Sequence, residues 1–168
     1  MINIVLYEPE IPQNTGNIMR TCAGTGAKLH LIEPLGFSLN EKAIKRSGVN
    51  YIEHCDYTIY DDWNDFLSKN KGDFYFLTRY GNKTHSDVDY SDVDKEIYLV
   101  FGKESTGIPK EILKNYIENC YRIPTNDNIR ALNLSNCVAL VLYEVLRQQD
   151  YPNLLKKEPF KGEDYLNN

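Results

Sequence analysis

The stretch from Ile123 to Gln149 carries the side chains that are best suited to bind a ligand. Ile123 closes a short strand-like run, and Pro124 ends any hydrogen-bonded ladder because it has no N–H to donate. The polar segment that follows carries amide and guanidinium groups at Asn126, Asn128, Arg130, Asn133 and Asn136. A polar loop between a strand end and a buried helix is where α/β proteins usually bind ligands, although a well-capped turn explains the same residues equally well.

A second candidate is the polar side of a helix that we expect to run from Asn14 or Thr15 to about Gly24. Asn17 and Arg20 are three residues apart and therefore share one helix face, and Asn14 lies one turn earlier. These side chains can contact a polar substrate. An isolated arginine on a helix is more often a solvated surface charge, and spacing alone does not separate the two roles.

Two glycine-containing stretches are not nucleotide loops of the common kinds. Gly24 and Gly26 do not belong to a GxGxxG fingerprint because position 29 is Leu, so we expect them to end a helix. The run FGKESTG at 101–107 lacks the GK[ST] end of a Walker A loop. Gly102 and Gly107 would let the backbone approach a ligand closely, but a plain turn explains them too.

Composition indicates one globular domain without a membrane span. The chain has 168 residues, of which 42% are hydrophobic and 26% charged, and no apolar run approaches the roughly 20 residues that a span needs. The four cysteines form no CxxC pair and have no His at zinc-ligand spacing. We therefore expect reduced thiols, no metal and a cytoplasmic location.

The formal net charge of −5 is not the usual footprint of a nucleic-acid-binding protein. The acidic residues concentrate at 56–65 and 87–96, where they can be far from a site. A short helix predicted at Glu41–Arg46 carries Lys42, Lys45 and Arg46. It provides a local basic patch, or else an ordinary solvated face.

Apolar runs alternate with amphipathic segments, which predicts an α/β fold with a mainly parallel sheet and helices on both faces. The predicted strands are 1–7, 28–33, 57–60, 74–78, 96–101 and 120–123, and the predicted helices are 14–24, 41–46, 61–69, 109–116 and a long one from 134. Arg79–Tyr90 reads as a polar loop. The domain is expected to span 1–152, followed by a polar tail at 153–168.

The long helix opens at Leu134, and Ser135 or Asn136 can cap it. One face is expected to carry Leu134, Val138, Val141, Leu142 and Val145, and the opposite side Cys137, Ala139, Leu140, Tyr143 and Leu146. A helix that is apolar nearly all round is covered on both sides. We expect one side to face the sheet and the other a second subunit.

Three stretches, in order, resemble one family. They are PEIPQNTGNIMRTCAGTG at 9–26, FGKESTGIP at 101–109 and IPTNDNIRALNLSNCVALVLYEVLRQ at 123–148. They are similar to the SPOUT class of RNA methyltransferases and, within it, to the family that 2′-O-methylates the tRNA wobble nucleotide. The likeness spans about Met1–Pro152. It implies a SPOUT fold with a C-terminal trefoil knot, which no sequence periodicity could reveal.

The resemblance also implies roles for individual residues. The residues expected to bind S-adenosyl-L-methionine are Leu77, Thr78, Gly102, Glu104, Gly107, Ile123, Ala131, Leu132 and Asn133. Arg20 matches the arginine implicated in activating the 2′-hydroxyl, and the expected substrate contacts are Asn14, Asn17, Arg46 and Tyr143. A guanidinium has a pKa of about 12 or more, so Arg20 suits a phosphate or ribose clamp better than proton removal. Tyr143 fits helix packing equally well.

The implied activity is S-adenosylmethionine-dependent 2′-O-methylation of C or U at the wobble position in the tRNA anticodon stem-loop. Family members pair the knotted regions of two chains, so a homodimer is expected, with Arg20 of one subunit serving its partner's cofactor. Two alternatives stay open: a non-catalytic module that binds S-adenosylmethionine or a nucleotide, and a 2′-O-methyltransferase of another RNA. The family often has Met and Ser where Thr125 and Ala131 stand.

Overall fold

A single parallel sheet forms the centre of the molecule in the computed structural model, which describes residues 1–39 and 49–167. Its strands are β1 (Ile2–Tyr7), β2 (Lys28–Ile32), β3 (Tyr57–Tyr60), β4 (Asp73–Leu77), β5 (Lys83–Thr84), β6 (Ile97–Phe101) and β7 (Cys120–Arg122). All pairings are parallel, in the order β3-β2-β1-β6-β4-β7-β5. The predicted α/β class and parallel sheet are confirmed.

Helices cover both faces of this sheet. They are α1 (Pro12–Thr25), α2 (Trp63–Lys69), α3 (Lys110–Leu113) and α4 (Leu134–Gln148). One apolar core lies between the sheet and α1 with α4, and a second lies on the face covered by α2 and α3. Because β6 is buried along its whole length, its sequence IYLVF is continuously apolar rather than alternating. Among the described residues, no helix is long and apolar enough to cross a membrane.

Helix α1 begins earlier than predicted. Pro12 occupies the first turn, where its missing N–H costs nothing, and Ile11 is the N-cap residue without a side-chain cap. Asn14 and Thr15 are therefore buried inside the helix, and their predicted capping role is wrong. Gly26, at φ 78°, ends the helix in the left-handed conformation that glycine tolerates, as predicted.

Helix α4 is capped two positions before the first of the predicted candidates. The Asn133 side chain accepts hydrogen bonds from the N–H groups of Ser135 and Asn136, so neither of these is the cap. The buried residues are Val138, Val141, Leu142, Val145 and Leu146, so Leu146 faces the core and not the opposite side. Leu140 and Tyr143 remain 39% and 47% exposed.

Two segments differ from the predicted elements. The stretch 79–90 is more than a polar loop, because it contains β5 and a 3-10 turn at His85–Asp87. The helix predicted at 109–116 is only α3, with Pro109 as its N-cap residue. The predicted basic helix at 41–46 lies outside the described residues.

Candidate functional site

A cleft of about 560 Å³ opens at the carboxyl edge of the sheet. It is bounded by the loops that follow three neighbouring strands: 77–80 after β4, 101–108 after β6 and 122–137 after β7. Ile11 and Asn14 at the start of α1 complete the wall. Parallel strands bring their carboxyl ends to one edge, which is why residues far apart in sequence meet here.

The structure brings the predicted cofactor residues together. All of them line the cleft: Leu77, Thr78, Gly102, Glu104, Gly107, Ile123, Ala131, Leu132 and Asn133. Asn14, predicted to contact substrate, lines it too. Asn17, Arg20 and Tyr143 are exposed and lie outside this lining, and Arg46 lies outside the described residues. The chemical roles of all these residues stay predictions.

The loop after β6 is a tight turn that needs both of its glycines. A Cβ atom on Gly102 would lie 2.2 Å from the carbonyl carbon of Gly107, so a side chain there would displace backbone. Gly107 has φ 74°, and its N–H donates to the Lys103 carbonyl at 2.9 Å. The turn therefore presents backbone directly to the cleft.

Carboxylates attach this turn to the start of α1. The Glu104 carboxylate accepts hydrogen bonds from the backbone N–H groups of Glu10 and Ile11, both of which precede the helix. In return, the Glu10 carboxylate accepts from the N–H of Ser105 at 2.9 Å and from its hydroxyl at 2.6 Å. These hydrogen bonds lower the pKa of Glu10. Glu104 lines the cleft, but its oxygens are engaged in holding α1 in place.

A second link joins the two helices that flank the cleft. Asn133 caps α4 through its Oδ1, and its Nδ2 donates to Asn14 Oδ1 at 3.1 Å. Asn14 is buried, so this bond forms within the wall of the cleft. A single amide thereby fixes the N-terminus of α4 relative to α1.

The rim of the cleft is basic although the chain as a whole is acidic. The cationic side chains that line it are Arg79, Lys103, Arg122 and Arg130. Arg122 also stabilises the wall: its Nη1 donates to the Arg79 carbonyl at 2.7 Å, and its Nη2 to the Thr125 hydroxyl at 3.3 Å. Sequence reasoning did not identify Arg79, Lys103 or Arg122 as site residues, because they become neighbours only through strand order.

His30 has a structural role on the face of the sheet that α2 covers, where its ring contacts Tyr60 and Phe66. His30 is buried, with Nδ1 2.8 Å from the Tyr60 hydroxyl and Nε2 2.8 Å from Asn3 Oδ1. Burial, together with the nearby charge of Lys28, lowers the pKa of His30 from 6.5 to about 4. The described lining of the cleft contains no histidine. Within residues 1–39 and 49–167, no group of three or more His, Cys, Asp and Glu could hold a metal ion.

Comparison with known proteins places this geometry in a family. Residues 1–143 match the SpoU rRNA Methylase family. The chain is 46% identical over 160 residues to the tRNA (cytidine(34)-2'-O)-methyltransferase of Escherichia coli K12, covering 94% of this chain and 100% of that protein.

Two solved structures share the fold closely. One is a candidate RNA methyltransferase from Bacillus anthracis, 50% identical with a TM-score of 0.89, covering 94% of this chain and 100% of that one. The other is described as giving structural insights into the 2-OH methylation of C/U34 on tRNA. It is 37% identical with a TM-score of 0.81, covering 89% of this chain and 97% of that one.

Proposed function

The chain belongs to the SpoU rRNA methylase family, and from this premise we propose that it methylates the 2′-hydroxyl of the wobble nucleotide, C or U, in tRNA. The relatives with this activity in their names support the substrate. The observation that carries the proposal is the cleft, which gathers three sequence-distant loops at one sheet edge.

The cleft suits S-adenosylmethionine in size and chemistry. Ligand pockets commonly enclose about 300–1,000 Å³, and this one has a volume of about 560 Å³. The backbone of Gly102 and Gly107 and the polar loop end at Ala131–Asn133 would hold the adenosine part, with Leu77 and Leu132 supplying apolar contact. When bound, the cofactor supplies a methyl group on a sulfonium sulfur. The protein must hold a ribose 2′-oxygen about 3 Å from the methyl carbon and exclude water.

Arg20 and Asn17 would act on the RNA and not on the cofactor. Both are exposed on α1, outside the lining of the cleft in their own chain. This position supports a homodimer in which Arg20 of one subunit reaches the cleft of its partner. The guanidinium would clamp a phosphate or ribose and polarise the hydroxyl, because its planar fork of N–H donors matches the geometry of phosphate oxygens.

The half-exposed face of α4, with Leu140 and Tyr143, is the surface we assign to the dimer contact. The same proposal includes a trefoil knot and a cytoplasmic location. It also includes a domain at 1–152 with a tail at 153–168, and substrate roles for Arg46 and Tyr143. They rest on the family resemblance and the polar composition of the tail.

Two anticodon stem-loops test this function. One carries a ribonucleotide at the wobble position, and the other carries the matching 2′-deoxynucleotide. We expect methyl transfer from labelled S-adenosylmethionine to the first and none to the second, since only the first has the acceptor hydroxyl. Equal transfer to both would place the methyl group elsewhere. Cofactor binding without transfer to any RNA would favour the non-catalytic module.

A further inference from the structure

One aromatic side chain at the rim of the cleft is exposed to an extent that packing does not explain. Tyr80 lines the cleft, yet it is 70% exposed, whereas Tyr75, Tyr90 and Tyr121 nearby pack against one another. Exposed tyrosines occur on ordinary surfaces, so exposure alone decides nothing. A binding role is indicated by the backbone that holds the ring and by the charged side chains beside it.

The turn that carries Tyr80 is rigid. The Thr78 N–H donates to the Tyr121 carbonyl at 2.9 Å, and the Thr78 hydroxyl accepts from the Tyr80 N–H at 3.2 Å. Gly81 donates to the Thr78 carbonyl at 3.1 Å and lies so close to β7 that an added Cβ would be 2.4 Å from the Tyr121 backbone. The ring is therefore presented from a fixed backbone, which lowers the entropic cost of binding to it.

A planar cation accompanies this ring. The Arg79 guanidinium carbon lies 5.4 Å from the centroid of Tyr80, and the Arg79 carbonyl is held by Arg122 at 2.7 Å. Aromatic rings and guanidinium planes are the two surfaces on which proteins stack unpaired RNA bases. Arg130 elsewhere on the rim adds positive charge that attracts the phosphates of the same strand, whereas Lys103 is paired with the Glu8 carboxylate at 3.7 Å.

We propose that Tyr80, together with Arg79, forms a stacking platform for the unpaired base next to the nucleotide that is methylated. The inference rests on the proposed function, because it takes the RNA to be a single-stranded loop that enters this cleft. The cofactor adenine is the competing occupant. A mostly solvent-exposed ring at the rim suits a base arriving from solvent better than a ligand enclosed by Leu77 and Leu132.

The test uses two anticodon stem-loops, each with fluorescent 2-aminopurine in place of one neighbour of the target nucleotide. The proteins compared are wild type, Tyr80→Ala, Tyr80→Phe and the control Tyr165→Ala. Tyr165 is a matched control because it is also exposed beside a cation, with Lys161 5.8 Å from its ring, and it lies outside the described lining of the cleft.

We expect wild type to quench the fluorescence of one of the two stem-loops, because stacking quenches 2-aminopurine. Tyr80→Ala should lose this quenching and raise KM for the stem-loop roughly tenfold, in keeping with the usual strength of base–aromatic stacking. Its kcat and its Kd for S-adenosylmethionine should stay within about twofold of wild type. Tyr80→Phe should retain most of the affinity, and Tyr165→Ala should match wild type.

Each other outcome is decisive. An unchanged KM and unchanged quenching in Tyr80→Ala would overturn the platform, as would an equal effect of Tyr165→Ala. A weaker Kd for S-adenosylmethionine would assign the ring to the cofactor instead. Quenching that depends on Tyr80 without any methylation would support the platform and refute the proposed function. A wild-type protein that binds neither stem-loop would overturn both.

Discussion

Single residues at this site divide into those that sequence could suggest and those that only the fold reveals. The family resemblance suggested the residues for cofactor binding, and they gather in one cleft because they lie in segments at the carboxyl edge of the parallel sheet. Glu10 and Tyr80 were not suggested. Glu10 meets Ser105 across 95 positions of sequence, and a contact of that kind leaves no local signal.

Arg20 carries the main chemical prediction at this scale. Arg20→Ala should lower kcat/KM for the anticodon stem-loop at least about 100-fold, as losses of charge-stabilising donors do. The Kd for S-adenosylmethionine should not change, because we assign Arg20 to the RNA and not to the cofactor. Arg20→Lys should recover only part of the activity, since it restores the charge without the planar fork. Radiolabel transfer and calorimetry measure the two quantities. A normal rate in Arg20→Ala would remove it from the mechanism.

His30 predicts how stability depends on pH. Its pKa is about 4 in the folded chain and about 6.5 when exposed, so the unfolded chain binds more protons between these values. The free energy of unfolding should therefore fall as pH drops from about 6.5 towards 4, by on the order of 3 kcal/mol, and level off below. Urea unfolding across this range should show that dependence reduced in His30→Gln. If the free energy of unfolding depends on pH equally in wild type and His30→Gln, His30 is not the source of that dependence.

The elements around the cleft are held by side chains at helix starts. Asn133 caps α4 and bonds Asn14 of α1, and Glu104 binds the N–H groups before α1. Six strands were predicted to within one or two residues because buried parallel strands are largely apolar, whereas β5 was missed because its two residues, Lys83 and Thr84, are polar. The caps were not, since several polar residues compete at each helix start. Only the backbone geometry shows that Ile11 and Asn133 are the cap positions.

Glu104 provides a prediction about these elements. Glu104→Ala removes the acceptor for two backbone N–H groups, so it should lower the free energy of unfolding by about 1–2 kcal/mol. It should also weaken S-adenosylmethionine binding by roughly tenfold, because the turn 102–107 would no longer be fixed to α1. Glu104→Gln keeps the shape of the side chain and one acceptor oxygen. It should therefore lose less stability and less cofactor affinity than Glu104→Ala. Denaturant unfolding would measure the loss of stability, and calorimetry would measure the loss of affinity for S-adenosylmethionine. Unchanged affinity in the alanine variant would mean that the turn holds its shape unaided.

At the scale of the whole molecule, the expectation of a second subunit depends on which face of α4 is free. Val141 cannot belong to that contact, because it is fully buried in the core of its own chain. A charge there would report folding and not association. Leu140 and Tyr143 are the large hydrophobic residues that remain exposed on the helix. The topology of the knot could not be predicted from apolar patterns, because threading a chain leaves the pattern of each element unchanged.

Leu140→Glu tests the dimer. Leu140 is 39% exposed in the single chain, so the variant should fold with a Tm close to that of wild type. It should elute as a monomer in size-exclusion chromatography with light scattering, and it should lose methylation because Arg20 could no longer reach a partner's cleft. The control Leu155→Glu, at a tail position that is 78% exposed, should remain dimeric and active. A fully active monomer would refute the shared site.

Mass spectrometry of nucleosides shows directly which nucleotide and which group receive the methyl. Purified protein and S-adenosylmethionine would be incubated with tRNA from cells that lack this enzyme, and the products mapped to anticodon fragments. We predict a 2′-O-methyl pyrimidine at the wobble position and no other new modification. A methyl group on a base or at another position, or none at all with cofactor binding confirmed, would contradict it.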